Sequence, residues 1–243
     1  MTETELQRNA VQYLNRSPLL HTDMLVNLSR GTGRILQENG EGVLLSAPGT
    51  LMLSADSQKS AKQLLRCLAN VPAQLEVHRD CCRDAAESLG LSVFVACRQA
   101  AWLQEGFLPP ATSPAEIRQL DESWLPFVMQ HYKTIDNADY IQERLRTGDF
   151  FGSFVKGKPA GFIGTHSEGS MGLLVVLPEY RRMGIASALE TFLANRLIAK
   201  GITPFAQIVQ SNVSSFSLHR KLGFKIAEEK IYWLHSKGNA PIS

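Results

Sequence analysis

The sequence predicts an α/β (α+β) protein in two halves: a C-terminal half with a mixed central sheet flanked by helices, preceded by a smaller α/β half. Three observations predict this. Short β-branched apolar runs alternate with amphipathic stretches along the chain of 243 residues. A segment with three prolines and no periodicity, 106–114 (Gly-Phe-Leu-Pro-Pro-Ala-Thr-Ser-Pro), divides it. Finally, the stretch Leu173–Ala186 passes from an apolar run through Pro178 to Gly184, where a long helical pattern begins. The expected organisation is an N-terminal domain over 1–105, a linker over 106–114 and a second domain over 115–236.

In the first half, Glu3–Asn15 and Leu19–Leu28 read as short helices broken by Ser17-Pro18. Strands are expected at Gly33–Gln37, Gly42–Ser46 and Thr50–Ser54, separated by Glu-Asn-Gly-Glu and Ala-Pro-Gly turns. Asp56 or Ser57 caps a helix reaching Ala69. Leu75–His78 is a strand, Asp80–Leu89 a helix and Ser92–Leu103 another strand-like run.

In the second half, Ile117–Leu120 is a strand, and Asp121 or Ser123 opens a helix to His131. Asn137 opens the next helix, carrying Tyr140, Ile141 and Leu145. Phe150–Lys156 and Ala160–His166 form a hairpin, Ser170–Leu177 the central strand, and Gly184–Lys200 the long helix that Gly201 ends. Phe205–Val209 is a strand, Asn212 or Ser214 caps a short helix to Leu222, and Phe224–His235 supplies the last strand or hairpin.

Composition narrows the function classes. The hydrophobic fraction of 44% and charged fraction of 20% are those of an ordinary globular protein with a real core. A net charge of +2, without a basic block or interleaved aromatics, gives no footing for nucleic acid. No run approaches the roughly 18 apolar residues of a membrane span, so no membrane partner is expected. The acidic start Met-Thr-Glu-Thr-Glu carries no signal pattern, and a cytoplasmic location is expected. The four cysteines (Cys67, Cys81, Cys82, Cys97) form neither Cys-x-x-Cys nor a zinc-finger spacing; they read as reduced structural thiols, and no metal is expected.

The residues after the central strand suggest anion binding. The first N–H groups of a helix lack intrahelical partners, and the helix dipole adds about half a positive charge there. Gly184 lets a bulky anion approach the backbone. Arg181-x-x-Gly184-x-Ala186 after a Val-x-Pro strand end resembles the pyrophosphate-binding motif of the GNAT acetyltransferase superfamily, Gln/Arg-x-x-Gly-x-Gly/Ala. A second match is Asn212-Val-Ser-Ser215-Phe216-Ser-Leu-His219-Arg-Lys-Leu222-Gly223-Phe224, similar to the family's Asn-x-x-Ala/Ser, Tyr and Gly-Phe at the same intervals. The element order β-α-α-β-β-β-α-β-α-β from Pro114 to His235 is also the GNAT order. The first half ends in the same kind of order but has no such motif at Ala55-Asp56-Ser57-Gln58-Lys59, and it reads as a decayed copy. A chain in two such halves looks most like the glycine N-acyltransferase and FR47-like branch.

The resemblance implies acetyl-CoA as cosubstrate. Arg181, Arg182 and the backbone of Met183, Gly184, Ile185, Ala186 and Ser187 would meet its pyrophosphate. Backbone groups of Leu174, Val175 and Val176 would pair with its pantetheine arm and supply an oxyanion donor. Asn212, Ser215 and Phe216 would lie beside that arm, with helix capping an equal role for Asn212. Arg220 and Lys221 read equally as adenosine-phosphate contacts or as a solvated helix end.

The family's Tyr, which protonates the departing thiolate, is replaced here by His219; acid and packing residue both stand as readings. For the general base the candidates are His166 and Glu168, at the turn before the central strand, where a hairpin decoration is the alternative. Acceptor specificity is expected from Tyr132 to Tyr140, where Asp136 and Asp139 could attract a cation. The resulting expectation is direct transfer of an acetyl group to a primary amine of a small molecule, amino acid or peptide. The alternative is a CoA-binding module with little or no activity. Monomer and homodimer both stay open.

Overall fold

The structure is a computed structural model and describes residues 2–236. It contains two compact units. Among the described residues the first holds 2–101, Gln207–Val213 and 225–236; the second holds Trp102–Ala206 and Ser214–Phe224.

In the first unit, α1 (Glu3–Leu14) starts in a capping box: the Thr2 side chain accepts the Glu5 N–H at 3.2 Å, and Glu5 returns the bond to Thr2. Then follow α2 (Thr22–Ser29), β1 (Arg34–Glu38), β2 (Gly42–Ala47), β3 (Thr50–Ala55), α3 (Gln58–Leu65), β4 (Gln74–His78), α4 (Asp80–Glu87) and β5 (Leu91–Ala101). The sheet runs β1-β2-β3-β4-β12-β5-β10, with β10 (Phe205–Val209), β11 (Lys225–Ile226) beside β5, and β12 (Ile231–Ser236). Both faces are covered. Leu44, Leu53, Leu75 and Val77 pack with Leu64, Ala85 and Ala86 of α3 and α4, while Val43, Leu45 and Met52 pack with Tyr13, Leu14 and Met24. These middle strands therefore read as near-continuous apolar runs in sequence.

The last strand departs from the organisation expected above. The α4 crossover returns the chain one strand beyond β4, and β12 fills the space between β4 and β5, antiparallel to both (Tyr232 opposite Val77 and Ala96). The single cut at 106–114 thus separates the first 101 residues but not the chain's end, which returns to the first sheet.

The second unit has a four-stranded sheet, β6-β7-β8-β9: β6 (Glu116–Gln119), β7 (Phe151–Val155), β8 (Lys158–Thr165) and β9 (Met171–Val176). Its helices are α5 (Leu125–His131), α6 (Ala138–Arg146), α7 (Ile185–Ala199) and α8 (Val213–Leu222). Phe150, Phe162 and Leu173 pack with Val128, Ile141 and Leu145 on one side. On α7, Phe192 meets Phe151 of β7 with ring centroids 5.0 Å apart. The expected linker is tied down. Asn195 of α7 accepts the Leu108 N–H at 2.7 Å and donates to the Leu108 carbonyl at 3.0 Å, and the Trp102 indole donates to the Gly106 carbonyl. No helix among the described residues is long and apolar enough to cross a membrane.

Candidate functional site

Among the described residues β9 is the end strand of its sheet, laddered to β8 alone. The pairing runs Gly161↔Val176, Phe162↔Val175, then Gly164↔Gly172, with a bulge between Phe162 and Gly164. Leu173 in the bulge adopts φ +52°, a left-handed value that an L residue takes only at a cost of about 1–3 kcal/mol. Its buried side chain in the Phe150–Phe162 cluster holds it there. Gly161 is required opposite: a Cβ would stand 2.3 Å from the Val175 carbonyl. Leu174 shares the bulge, and Val175 and Val176 follow it.

Leu177 and a short 3-10 turn, Pro178–Tyr180, lead to Arg181, whose Nε donates to the Val176 carbonyl at 3.3 Å. Arg182 (φ +66°) and Gly184 (φ +76°) are both left-handed, which turns the chain sharply into α7. Gly184 precedes the helix without any side-chain cap, so the N–H groups of its first turn keep the polarity that attracts an anion. The requirement for glycine is met twice over. A Cβ at 184 would lie 2.4 Å from the Thr112 carbonyl, a contact not legible in the motif itself. Met183, Ile185, Ala186 and Ser187 complete this turn.

At the other end of β9 a polar cluster forms. His166 and Glu168 belong to the tight turn between β8 and β9, closed by the His166 N–H to the Ser170 carbonyl at 2.8 Å. Tyr140 of α6 places its hydroxyl 3.0 Å from His166 Nδ1 and accepts the Ser167 N–H at 3.3 Å. Arg144, one turn further along α6, donates to the His166 carbonyl at 3.4 Å and to Glu143 at 2.7 Å. The Ser170 hydroxyl donates to buried Glu168. Desolvation lowers the His166 pKa against the pull of Glu168, so the ring is neutral and able to accept a proton near pH 7. Gly172 makes room for it, since a Cβ there would stand 2.5 Å from His166 Nε2. Tyr140 and Arg144 join this cluster through the helix–hairpin contact, which sequence spacing does not encode.

His219, on α8, is 2% exposed. Its Nδ1 lies 2.9 Å from the Ser215 carbonyl one turn earlier and therefore carries the proton that donates there. Nε2 lies 3.8 Å from Oε1 of Glu190, a residue of α7 that is 3% exposed. Neither His219 Nε2 nor Glu190 Oε2 has a hydrogen-bond partner among the described residues. Burial raises the Glu190 pKa, and the nearby imidazole opposes that rise. Glu190 was not singled out by sequence, although a lone acid on the apolar run Ala-Leu-Glu-Thr-Phe-Leu was a signal. It lies roughly 7.5 Å along the helix axis from Ile185, so α7 carries both the uncapped start and the acid of this pair.

Ser215 and Phe216 lie on α8, where Phe216 underlies the Arg220 guanidinium at 5.7 Å. Asn212 stands immediately before α8, its N–H on the Val209 carbonyl at 2.8 Å.

Residues 154–234 match the model of a family described as FR47-like protein. No curated protein matches the sequence. Among solved structures, a Drosophila protein is similar over 100% of this chain and 98% of its own, at 17% identity and a TM-score of 0.68. A GCN5-related N-acetyltransferase from Kribbella flavida is similar over 89% of this chain and 96% of its own, at 10% identity and a TM-score of 0.60. An acetyltransferase of the GNAT family from Colwellia psychrerythraea covers 93% and 97%, at 15% identity and a TM-score of 0.52. At these identities the likeness shows the fold.

Proposed function

From a chain that resembles the GNAT superfamily and its FR47-like branch in both sequence and fold, we infer an N-acyltransferase that moves the acetyl group of acetyl-CoA to a primary amine by direct attack. One observation carries this reading. An end strand with a bulge at Leu173 runs into a doubly left-handed turn and then an uncapped 15-residue helix. The strand edge suits an extended amide-bearing arm, and the turn with α7 suits a pyrophosphate. Leu174, Val175 and Val176 would take the pantetheine; Arg181, Arg182, Met183, Gly184, Ile185, Ala186 and Ser187 the phosphates; Asn212, Ser215 and Phe216 the flank of the arm.

Roles on the acceptor side follow from the β8–β9 turn. His166 accepts the amine proton, with Tyr140 orienting its ring and Glu168 nearby. The α5–α6 connection, Tyr132 to Tyr140, shapes the acceptor. His219, when protonated on both ring nitrogens, gives the Nε2 proton to the leaving thiolate and keeps its Nδ1–H on the Ser215 carbonyl. No residue in 102–236 is a cysteine, which agrees with transfer without an acyl-enzyme on sulfur.

A second reading, a CoA-binding module of little activity, is favoured by the burial of His219. Amine-dependent release of free thiol from acetyl-CoA, measured across amines, amino acids and peptides, separates the two. Turnover with any acceptor supports the enzyme. Saturable binding of one equivalent of acetyl-CoA with no turnover on any acceptor supports the module, and no binding at all removes both.

A further inference from the structure

Within the second unit, one buried acid faces the proton donor named above. Glu190 of α7 and His219 of α8 are 3% and 2% exposed, and Glu190 Oε1 lies 3.8 Å from His219 Nε2. The ring is fixed from two other sides. Its Nδ1–H donates to the Ser215 carbonyl at 2.9 Å, and Phe224 meets it edge to face with centroids 5.1 Å apart. Neither Nε2 nor Glu190 Oε2 has a hydrogen-bond partner among the described residues.

The other charges of the two helices are turned elsewhere. Glu190 is the one acid of α7, and α8 has none. On α7, Arg196 lies over Phe151 and Lys200 pairs with Asp149; on α8, Arg220 lies over Phe216 and Lys221 is exposed. The chain after α8 offers the Phe224 ring, which packs on Trp102, and neither carries charge. A buried carboxylate in this setting finds its counter-charge only in an imidazole with a second proton. At 3.8 Å it attracts such a ring by Coulomb force, yet it lies beyond hydrogen-bond length and leaves the Nε2–H uncaptured.

We propose that Glu190 is a positioning residue for acyl transfer: its carboxylate keeps His219 charged, with a proton on each ring nitrogen, so that the Nε2–H is ready for the thiolate. This rests on the reading of His219 as the acid. In the step, the amine nitrogen bonds to the thioester carbonyl carbon, the C–S bond breaks, and the thiolate takes the Nε2 proton. The proton lost by the amine goes to His166. Solvent then returns one proton to His219 and removes one from His166, which restores the enzyme.

Each member of the pair depends on the other. Burial works against a charged carboxyl and raises the Glu190 pKa, while the facing imidazole pulls it back down. Without the acid, the ring keeps only the Nδ1–H that the Ser215 carbonyl holds, and Nε2 has nothing to donate.

The test has two arms on the full-length protein. Nitrogen NMR of labelled histidine, with the His219 signals assigned through His219→Tyr, counts ring protons without any turnover. Near neutral pH the wild-type ring should carry two protons, and the ring in Glu190→Gln only the one on Nδ1. In steady-state kinetics with the best acceptor, Glu190→Gln should move the alkaline limb of kcat down by about one pH unit or more, a loss of about tenfold above that limb, with the KM for acetyl-CoA little changed. Glu190→Asp, which keeps the charge, should recover most of the profile. In the His219→Tyr background, where the donor is neutral, adding Glu190→Gln should leave the limb in place. A packing role would instead lower kcat alike at every pH and in both backgrounds. A wild-type His219 ring with a single proton overturns the proposal even if no variant folds, and so does an unmoved limb in Glu190→Gln. A doubly protonated ring without turnover on any acceptor overturns the acyltransferase reading and the role with it, whereas turnover with a singly protonated ring overturns the role alone.

Discussion

The end of β3 and the end of β9 are two versions of one local plan, strand then turn then helix, and their differences locate function. β3 is laddered on both edges, to β2 and in parallel to β4 from Leu51↔Leu75 to Ser54↔His78. Its turn is short, and Ser57 caps α3 by accepting the Ser60 N–H at 3.1 Å. Beyond the ladder polar side chains pair with one another: His21 bridges the Leu14 carbonyl and Ser54, His78 pairs with Asp23 at 2.9 Å, and Gln207 links Asp23 to Glu76. β9 has one ladder, a bulge, two left-handed turn residues and no cap on the helix that follows. Where the first strand end spends its backbone polarity on itself, the second leaves a strand edge without a ladder and a helix start without a side-chain cap.

The strongest way to break the comparison is at Gly184. Gly184→Val places a branched side chain at φ +76° and 2.4 Å from the Thr112 carbonyl. Acetyl-CoA binding should fall below detection by calorimetry, and the melting temperature should drop as well, since the clash is with backbone rather than with ligand alone. Wild-type affinity in this variant would remove the cofactor assignment. Next in size is His219→Phe, which should lower kcat roughly 10²-fold with little change in acetyl-CoA affinity. His219→Tyr should recover activity and carry it to higher pH. Phe matching wild type in rate and pH profile would make His219 a packing residue.

The third test addresses the first unit. Burial, with His78 nearby, lowers the His21 pKa from 6.5 to about 3. Between those values the unfolded chain binds the proton and the native one does not, so stability contributed by neutral His21 is present above about pH 6.5 and lost as pH falls. The slope approaches about 1.4 kcal/mol per pH unit in that window. The difference in urea midpoint between wild type and His21→Gln, followed from neutral to acid pH, should shrink or reverse on acidification. The smallest effect is Ser57→Ala, which should cost about 1 kcal/mol in chemical denaturation through the lost cap and leave acetyl-CoA binding unchanged. A loss of binding there would mean that the first unit carries ligand.

Local pattern made most elements legible. Caps such as Ser57 and Asn137, and stops such as Gly201 and Gly223, put helix ends within a few residues of their observed positions, and the Arg-x-x-Gly turn fell where α7 begins. What stayed hidden depends on partners far apart in the chain. The left-handed Leu173 is a leucine in an apolar run, indistinguishable by type from Leu174, and its bulge exists only through the register with β8. Glu190 and His219 meet because α7 and α8 pack, and Thr112 reaches Gly184 because the proline-rich segment is strapped to α7 by Asn195. The Phe224–His235 stretch reads as an ordinary closing hairpin, and its period says nothing of which sheet receives it.

The place of β12 between β4 and β5 sets an order of events in time. The first sheet needs residues 231–236 for its central ladder, and a ribosome delivers those only after the whole of 102–230. The N-terminal hundred residues therefore emerge as a sheet with an unfilled middle, exposing Val77, Val95 and their unpaired neighbours until β12 is made. Pairings across more than 130 positions also close slowly, as high contact order requires. A chain stopped at Lys230 should consequently fail in its beginning as well as at its end, with protease cleaving residues 70–101 first.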